Sequence, residues 1–301
     1  MDLFEKKYEL TEENLKWNER TLYRIRALKD FSNVKVGDFG GWVMSEENLS
    51  QDGLCWIFDE AKVYDDALVD DNATIHNNAE VFNNATVSGN AEVFENATVY
   101  EKAWVDECAR VFGCAQIFGS AKIYGSAKVY GSARASGTSR VFGSARVFGE
   151  AKIHGDASIY GEATMFGIAQ AFESATIYDK AAVYDNSRIY GKACIHDLAK
   201  VYGSAKVFGF AEIYDEAEVH DRAVVNGCAK IFDRAEILGS AKIRDSAKVF
   251  DHAKVLDEAE ISGNSRVFYD ARVFYGTKAV DEIIAAKRLD AAPEEESFTD
   301  D

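Results

Sequence analysis

From Cys55 to Gly276 the chain repeats one pattern of apolar and polar positions every six residues, through 37 consecutive units without an insertion or a deletion. The first position is Ala in 33 units, and the third is Val or Ile in 34. The second position, between them, is mostly Lys, Arg, Glu, Thr or Gln. Two apolar positions separated by a polar one are typical of a strand with one buried face. The pattern therefore predicts one short strand in every unit.

The fifth position predicts a tight corner after each strand. It is Gly, Asp or Asn in 31 units, and these residues tolerate a positive φ. Three units close a triangular coil whose backbone groups pair with the coils above and below. Proline would interrupt such pairing, and the single Pro293 lies beyond the last unit. The sequence thus predicts an all-β rod of about 12 coils that is roughly 60 Å long at about 4.8 Å per coil.

An aliphatic residue followed four positions later by a small one, as at Val129 and Ala133, recurs along the whole array. This spacing resembles the hexapeptide-repeat family of left-handed parallel β-helices, in which each coil contains three units. The resemblance implies a left-handed rod, since the spacing alone does not decide handedness. We therefore expect residues 55–276 to form a left-handed parallel β-helix.

Residues 1–54 are predicted to be an N-terminal cap, because an open solenoid end would expose unpaired strand edges. Two β-like runs, Lys7 to Leu10 and Thr21 to Leu28, are joined by a polar stretch that suits a hairpin connection. Residues 34–54 suit an irregular first coil. The cap is therefore expected to be a hairpin followed by that coil.

Residues 277–301 are predicted to be a second cap with a tail. Apolar residues at Val280, Ile283, Ile284 and Leu289 have the spacing of a short amphipathic helix that lies over the last coil. The acidic stretch that follows, from residue 291 to the end, is expected to be disordered.

The N-terminal segment carries a second, more specific resemblance. The segments that carry it are Arg24 to Phe31, Val34 to Gly37, Gly40 to Val43, Asn48 to Gln51 and Cys55 to Ile57. Together with the repeat they resemble the YdcK family, which comprises uncharacterised bacterial hexapeptide-repeat proteins labelled putative transferases, with similar proteins in phages and prophages. A fold alone does not imply a function. The label therefore leaves the activity open.

The histidines do not predict a catalytic or metal site within one chain. Hexapeptide acyltransferases typically have a catalytic His and a loop that projects from the coils, and here no loop interrupts the array. In the predicted coil no two histidines stack on each other, so neither a two-His nor a three-His metal site is supported. The glycines fall in one column and are explained by the corners, so no phosphate-binding loop is predicted. We therefore expect no catalytic residue, no metal and no cofactor, although a site formed between subunits remains open.

The fourth position supplies the candidate binding residues, because it is Phe or Tyr in 24 of the 37 units. Residues one coil apart stack, so these rings are expected to form ladders along the corners. Each ladder could simply stabilise neighbouring coils, or it could be an apolar ridge that binds a protein or another subunit. The longest Phe and Tyr ladder is predicted to contain Phe94, Phe112, Tyr130, Phe148, Phe166, Tyr184 and Tyr202.

Charge is distributed in bands along the rod, within a net charge of −17. Residues 55–108, here called the acidic band, contain 12 acidic and 2 basic residues, which gives −10. Residues 109–152, here called the basic belt, contain 7 basic and 1 acidic residue, which gives +6. The three predicted faces carry, in turn, Arg110, Lys128 and Arg146; Lys122 and Arg140; and Arg134 and Lys152.

The banding indicates what kind of partner to expect. A nucleic-acid groove needs its cations in one stripe. A belt around all three faces therefore makes nucleic acid an unlikely ligand. The acidic band could instead attract a basic protein or mimic the phosphates of a nucleic acid, or it could simply solvate the rod.

Localisation is inferred from the absence of certain features in the sequence. There is no secretory leader pattern and no apolar run near the ~20 residues that span a bilayer. None of the five cysteines stacks on another in the predicted coil, so unpaired thiols in the reducing cytoplasm are expected. The sequence therefore predicts a cytoplasmic protein that does not enter a membrane.

Two classes of function follow from the sequence. The preferred one is a non-enzymatic β-helix that binds a protein or self-associates, for which trimers are one arrangement, and that acts as a phage or prophage product on a host component. The alternative is a hexapeptide-type acyltransferase whose active site forms between subunits. A loop or a His in an inter-subunit cleft would favour the enzyme.

Overall fold

The computed structural model describes residues 6–285, and these residues form a left-handed parallel β-helix of about 14 turns. The predicted fold class is therefore confirmed. Each repeat unit places its second and third residues in a strand and its fifth and sixth residues in a turn. Successive strands wind around a triangular prism, so that every third strand joins the same sheet.

Three sheets form the faces of the prism. Sheet I has 16 strands, of which the first three (β1, β2 and β3) belong to the N-terminal segment: Tyr8–Trp17, Arg20–Ala27, Phe39–Val43, Lys62–Val63, Glu80–Val81, Thr98–Val99, Gln116–Ile117, Arg134–Ala135, Lys152–Ile153, Gln170–Ala171, Arg188–Ile189, Lys206–Val207, Val224–Val225, Lys242–Ile243, Glu260–Ser262 and Lys278–Val280. Sheet II has 13 strands: Trp56–Ile57, Thr74–Ile75, Glu92–Val93, Arg110–Val111, Lys128–Val129, Arg146–Val147, Thr164–Met165, Ala182–Val183, Lys200–Val201, Glu218–Val219, Glu236–Ile237, Lys254–Val255 and Arg272–Val273. Sheet III also has 13: Leu68–Val69, Thr86–Val87, Trp104–Val105, Lys122–Ile123, Arg140–Val141, Ser158–Ile159, Thr176–Ile177, Cys194–Ile195, Glu212–Ile213, Lys230–Ile231, Lys248–Val249, Arg266–Phe268 and Ile283–Ala285.

The core is a column of small and branched side chains inside the prism. Ala127 and Val129, at the first and third positions, are both fully buried, whereas Lys128 between them points outward. The backbone between coils is paired throughout the array, as where the Lys128 amide donates to the Ala145 carbonyl oxygen at 2.9 Å. Burial of the apolar columns and satisfaction of the backbone groups thus stabilise each coil through its neighbours.

The corners use two different solutions at the fifth position. Where glycines stack, as at Gly125 and Gly143, a Cβ added to Gly125 would lie 2.7 Å from the Gly143 nitrogen, so only glycine permits this approach. Where aspartates stack, the carboxylate of one coil accepts the fifth-position amide of the next. Asp233 has a φ of 55° and accepts the Asp251 amide at 3.1 Å. Aspartate thus provides an acceptor that glycine lacks.

The N-terminal segment extends sheet I. Strands β1 and β2 are antiparallel and joined by a two-residue turn at Asn18 and Glu19, so the first strand extends to Trp17 rather than ending near Leu10 as predicted. Strand β2 pairs antiparallel with β3, which in turn pairs parallel with Lys62–Val63. A 3₁₀ helix, Glu46–Asn48, and a bridge from Leu49 to Val69 complete the first, irregular coil.

A buried lysine ties the start of β1 to the first repeat. Lys7 is 1% exposed, and its Nζ donates to the carbonyl oxygens of Asp52 at 2.9 Å and of Cys55 at 3.2 Å. The ammonium also lies 5.5 Å from the centre of the Phe31 ring. The cationic head is thus solvated by carbonyl groups and a ring.

The predicted C-terminal helix is not found where the structure describes it. Lys278–Val280 pairs with Glu260–Ser262, and Ile283–Ala285 pairs with Arg266–Phe268, so residues 278–285 continue two sheets as strands. The open edge of the preceding coil offers backbone partners that an isolated short helix lacks. Residues 286–289 of the predicted helix, and the predicted tail, lie outside the described residues. Within residues 6–285 no helix has the length and apolarity to cross a membrane.

Candidate interaction surfaces

The structure brings all seven predicted ladder residues together on the corner that follows sheet II. Their rings are stacked nearly parallel, with successive centroids 4.7–5.0 Å apart. Every ring is half-buried, because neighbouring rings cover each other's faces, although Phe94 at the start has a stacked ring, Phe112, on one side only. Only the ring edges reach the surface. The predicted ridge is therefore less apolar than seven exposed rings would be.

Histidine rings extend the ladders beyond what the Phe and Tyr positions predict. His220 stacks on Tyr202 at 4.7 Å and so extends the predicted ladder to eight rings. His196 joins two shorter runs on the corner that follows sheet III into a ladder of nine rings, from Tyr124 to Phe268. An imidazole in the fourth column is flat and could have been counted as a ring.

The histidines are held by carboxylates at the corners. His220 is 9% exposed, and its two ring nitrogens lie 3.1 Å from Glu236 Oε1 and 3.4 Å from Asp221 Oδ2. His196 Nδ1 lies 2.8 Å from Asp197 Oδ2. With Asp179, these two residues bring three ligand-type atoms within 4.8 Å of one another. The Asp197 carboxylate also accepts the Asp215 amide at 3.4 Å, so this cluster is part of the corner capping.

The cysteines are all unpaired thiols. Burial raises the pKa of the Cys55 thiol, and it also raises that of the Cys194 thiol. Both therefore favour the protonated form, which is a weak nucleophile. Cys108, Cys114 and Cys228 are exposed at corners.

The grooves of the surface are open troughs along the corners. One of about 730 Å³ lies beside the N-terminal hairpin, where Arg20 forms an ion pair with Asp65, and its lining includes Glu101 and Lys102. Another of about 860 Å³ is lined by fifth- and sixth-position residues of successive coils, from Gly203 to Tyr275. The second trough follows the repeat, whereas the first is also lined by Arg20 and Met44 of the N-terminal segment.

The basic belt stacks its cations in direct register on all three sheets. Arg110, Lys128 and Arg146 occupy successive strands of sheet II in direct register, and like charges in this position destabilise a sheet. Arg110 forms an ion pair with Glu92 at 2.9 Å. Among the described residues the other six cations of the belt form no ion pair: Lys122, Lys128, Arg134, Arg140, Arg146 and Lys152.

Several cations farther along the rod do have a carboxylate partner, although others within the described residues, such as Lys206 and Lys248, do not. Lys200 pairs with Glu218 at 2.7 Å, and Lys230 pairs with Glu212 at 2.6 Å, each across one coil. Arg234 and Lys242 pair with Glu216 and Glu260, also across one coil. The repeat can therefore place a carboxylate beside an outward cation, as it does for Arg110, but within the described part of the chain it does not do so for the other six cations of the belt. Neighbouring cations without carboxylates form a surface that favours an anionic partner.

These features define a class of protein, the left-handed parallel β-helices built from hexapeptide repeats. No family model matches the chain. Over 63 residues it is 36% identical to "Uncharacterized acetyltransferase YdcK" of Escherichia coli (strain K12), an alignment that covers 18% of this chain and 19% of that protein. The chain thus matches about a fifth of the length of this curated relative. The predicted resemblance to the YdcK family is confirmed over that short stretch.

Proposed function

We propose that this protein is a non-enzymatic, cytoplasmic interaction rod that binds a protein through its charged bands. The observation that carries the proposal is the basic belt, in which six outward cations lack carboxylates beside a band of net charge −10. Isolating like charges in this way raises the free energy of the lone rod, and a complementary partner would lower it. The N-terminal segment resembles the YdcK family, which has similar proteins in phages and prophages, and we therefore propose a host component as the partner.

The aromatic ladder from Phe94 to Tyr202 belongs to this proposed surface as its border. It lies beside the outward cations of sheet II, and Arg146 donates to the Tyr130 hydroxyl at 3.2 Å. Ring edges and arginines together form a rigid contact surface that loses little conformational entropy on binding. We therefore assign the ladder a supporting role and the charged residues the main one.

Affinity capture from the native host tests the proposal. The wild-type chain is compared with a belt variant, Lys122→Glu and Arg140→Glu on sheet III, and with a control, Lys230→Glu and Lys248→Glu on the same sheet. We expect one protein to be recovered with the wild type and the control but not with the belt variant. Recovery that is equal for all three chains, or no specific protein with any, contradicts the proposal.

An acyltransferase with a site between subunits is the second candidate, and the similarity to a protein named as an acetyltransferase favours it. A ligand stabilises the protein that binds it. If this candidate is right, acetyl-CoA raises the melting temperature saturably, and replacing one of the fourth-position histidines with Ala abolishes that rise. If the interaction rod is right, acetyl-CoA leaves the melting temperature unchanged.

A further inference from the structure

The charge of the rod changes sign at one rung of sheet II. This rung runs from Cys108 at one edge of the sheet, through Arg110 in the strand, to Cys114 at the other edge, and both cysteines are exposed. On the N-terminal side the next strand carries Glu92, and on the C-terminal side the next strand carries Lys128. The outward surface of sheet II, here called face II, therefore carries Glu92 and, at its edge, Asp71 on one side of this rung, and Lys128 and Arg146 on the other.

Symmetry determines how two such rods can meet. A rotation axis parallel to the rods keeps each residue at its own height, so the acidic band meets the acidic band and the basic belt meets the basic belt. A twofold axis perpendicular to the rods reverses the height, so each band meets its opposite. Electrostatic complementarity thus favours an antiparallel pair over a parallel, in-register assembly.

We propose that the partner of face II is a second copy of this chain, bound antiparallel about a twofold axis at the Arg110 rung. This deepens the proposed function, on which it rests, by naming the chemistry of the partner. Glu92 then lies opposite the partner's Lys128. Asp71, two rungs from the axis, lies beside the partner's Arg146. Arg110 faces its own copy, and its charge there is already neutralised by Glu92.

Face II suits this contact better than the other two faces. It carries three belt cations in one column, whereas the outward surfaces of sheets I and III carry two each. Its edges along the belt are small residues, such as Ser126 and Ser144 on one side and Gly131 and Ser132 on the other, so a flat partner can approach. The outward column of sheet III has no acidic residue within the acidic band.

The size of the contact predicts how tightly it holds. Five rungs overlap, from Thr74 to Arg146, because Trp56 on the next rung is covered by the N-terminal segment. At about 4.8 Å per rung and roughly 15 Å of width the contact buries on the order of 700 Å² in total. This area is small for a specific interface, so charge pairing supplies much of the affinity. The dimer is therefore weak and sensitive to salt.

Light scattering on the purified full chain tests the pairing. We expect a concentration-dependent dimer at about 0.05 M salt that weakens roughly tenfold or more at about 0.5 M. Lys128→Glu with Arg146→Glu gives monomers, whereas the control, Lys206→Glu with Lys248→Glu, dimerises like the wild type. The variant Asp71→Lys with Glu92→Lys is monomeric alone and forms a mixed dimer with the first variant. A wild-type monomer at low salt, or failure of the mixture to associate while both variants are folded, overturns the proposal.

Thiol cross-linking tests the orientation. An antiparallel pair places Cys108 opposite the partner's Cys108, and Cys114 opposite the partner's Cys114. A parallel pair through the same face instead places Cys108 near the partner's Cys114. With Cys228→Ser as background, C114S and C108S chains are each treated with a short bifunctional maleimide. Cross-linked dimers within C114S chains and within C108S chains support the antiparallel pair. Dimers that form only when the two chains are mixed overturn it.

The host-protein interaction and the antiparallel dimer can be contradicted independently of each other. If the purified chain is monomeric but the belt captures a host protein, the partner of the belt is a different protein, and only the second copy is excluded. If the chain dimerises as described and captures nothing, the host partner is excluded and the antiparallel pair stands.

Discussion

Aspartate at a corner adopts a left-handed φ and accepts a backbone amide, and substitutions can separate these two roles. At position 233 it adopts a φ of 55°, and its carboxylate accepts the Asp251 amide at 3.1 Å. Other corners repeat this bond, as where Asp221 accepts the Gly239 amide at 2.9 Å and that bond lowers the pKa of the Asp221 carboxyl. Many of the acidic residues in the array are thus structural acceptors as well as surface charges.

Three substitutions of Asp233 should therefore lower the free energy of unfolding by different amounts. Asp233→Asn keeps an acceptor and tolerates the left-handed φ, so it costs least. Asp233→Gly keeps the backbone conformation but loses the acceptor. Asp233→Ala loses the acceptor and strains the backbone, and we expect it to cost about 2 kcal/mol. Urea denaturation measures the order, and an alanine variant as stable as the glycine variant would show that the left-handed φ carries no penalty there.

The stacked ladders are the elements in which histidine replaces Phe or Tyr. His76 stacks on Phe58 at 4.4 Å, and His154 stacks on Phe172 at 4.9 Å. Burial lowers the pKa of both imidazoles. The folded protein therefore holds them neutral at a pH at which the unfolded chain already binds protons.

This difference in protonation makes the ladders sensitive to acid. Stability from these two groups is complete above the unfolded pKa of about 6.5 and is lost as the pH falls below it. The double variant His76→Phe, His154→Phe should therefore lose less melting temperature than the wild type between about pH 7.5 and about pH 5.5. His252→Asn, at an exposed position, should follow the wild type. Equal losses for the wild type and the double variant would refute this account.

Two triple substitutions in the ladders distinguish stacking between coils from binding of a partner. Phe112, Tyr130 and Phe148 border face II, whereas Phe142, Tyr160 and Tyr178 form an equivalent stack on the corner that follows sheet III. Changing either set to Ser removes neighbouring ring pairs worth ~0.5–1.5 kcal/mol each, so both triple variants should melt at similarly lower temperatures. Only the first should also change the mass in solution or partner capture. If both sets change the mass equally, the border role of the first ladder is wrong.

The whole molecule behaves as stacked coils, each of which contacts mainly its two neighbours. Strands of one sheet pair one coil apart, as Lys206–Val207 does with Val224–Val225. Stability of such a solenoid is a sum over coils and their interfaces. Length should therefore change without loss of the fold, provided that whole coils are removed.

Deleting residues 205–222 removes one coil and keeps every column in register. We expect a folded rod that is shorter by about 4.8 Å, with a modest drop in melting temperature, which small-angle scattering and thermal denaturation can measure. Deleting residues 205–213 removes one and a half units and moves Tyr214 into the buried column of alanines. That variant should not fold beyond the junction, and a well-folded product would show that the columns do not control packing.

The sequence by itself determined the strands, the corners, the buried columns and the stacking of residues one coil apart. A six-residue period fixes side-chain orientation and the register between coils, because each side chain points inward or outward according to its column and each backbone group pairs with the next coil. The seven rings from Phe94 to Tyr202 and the register of Arg110, Lys128 and Arg146 were predictable for that reason.

Only the tertiary structure decided what lies outside the repeat and what depends on side-chain partners. Lys7 is buried against carbonyl oxygens that belong to residues 45 and 48 positions away, and no local pattern encodes such a contact. Val280 to Ala285 has helical spacing, yet the open edge of the last coil supplies strand partners that outweigh it. The rings proved half-buried because each covers its neighbour. Six of the seven belt cations proved to lack a carboxylate partner among the described residues, because pairing depends on which side chains meet across a coil.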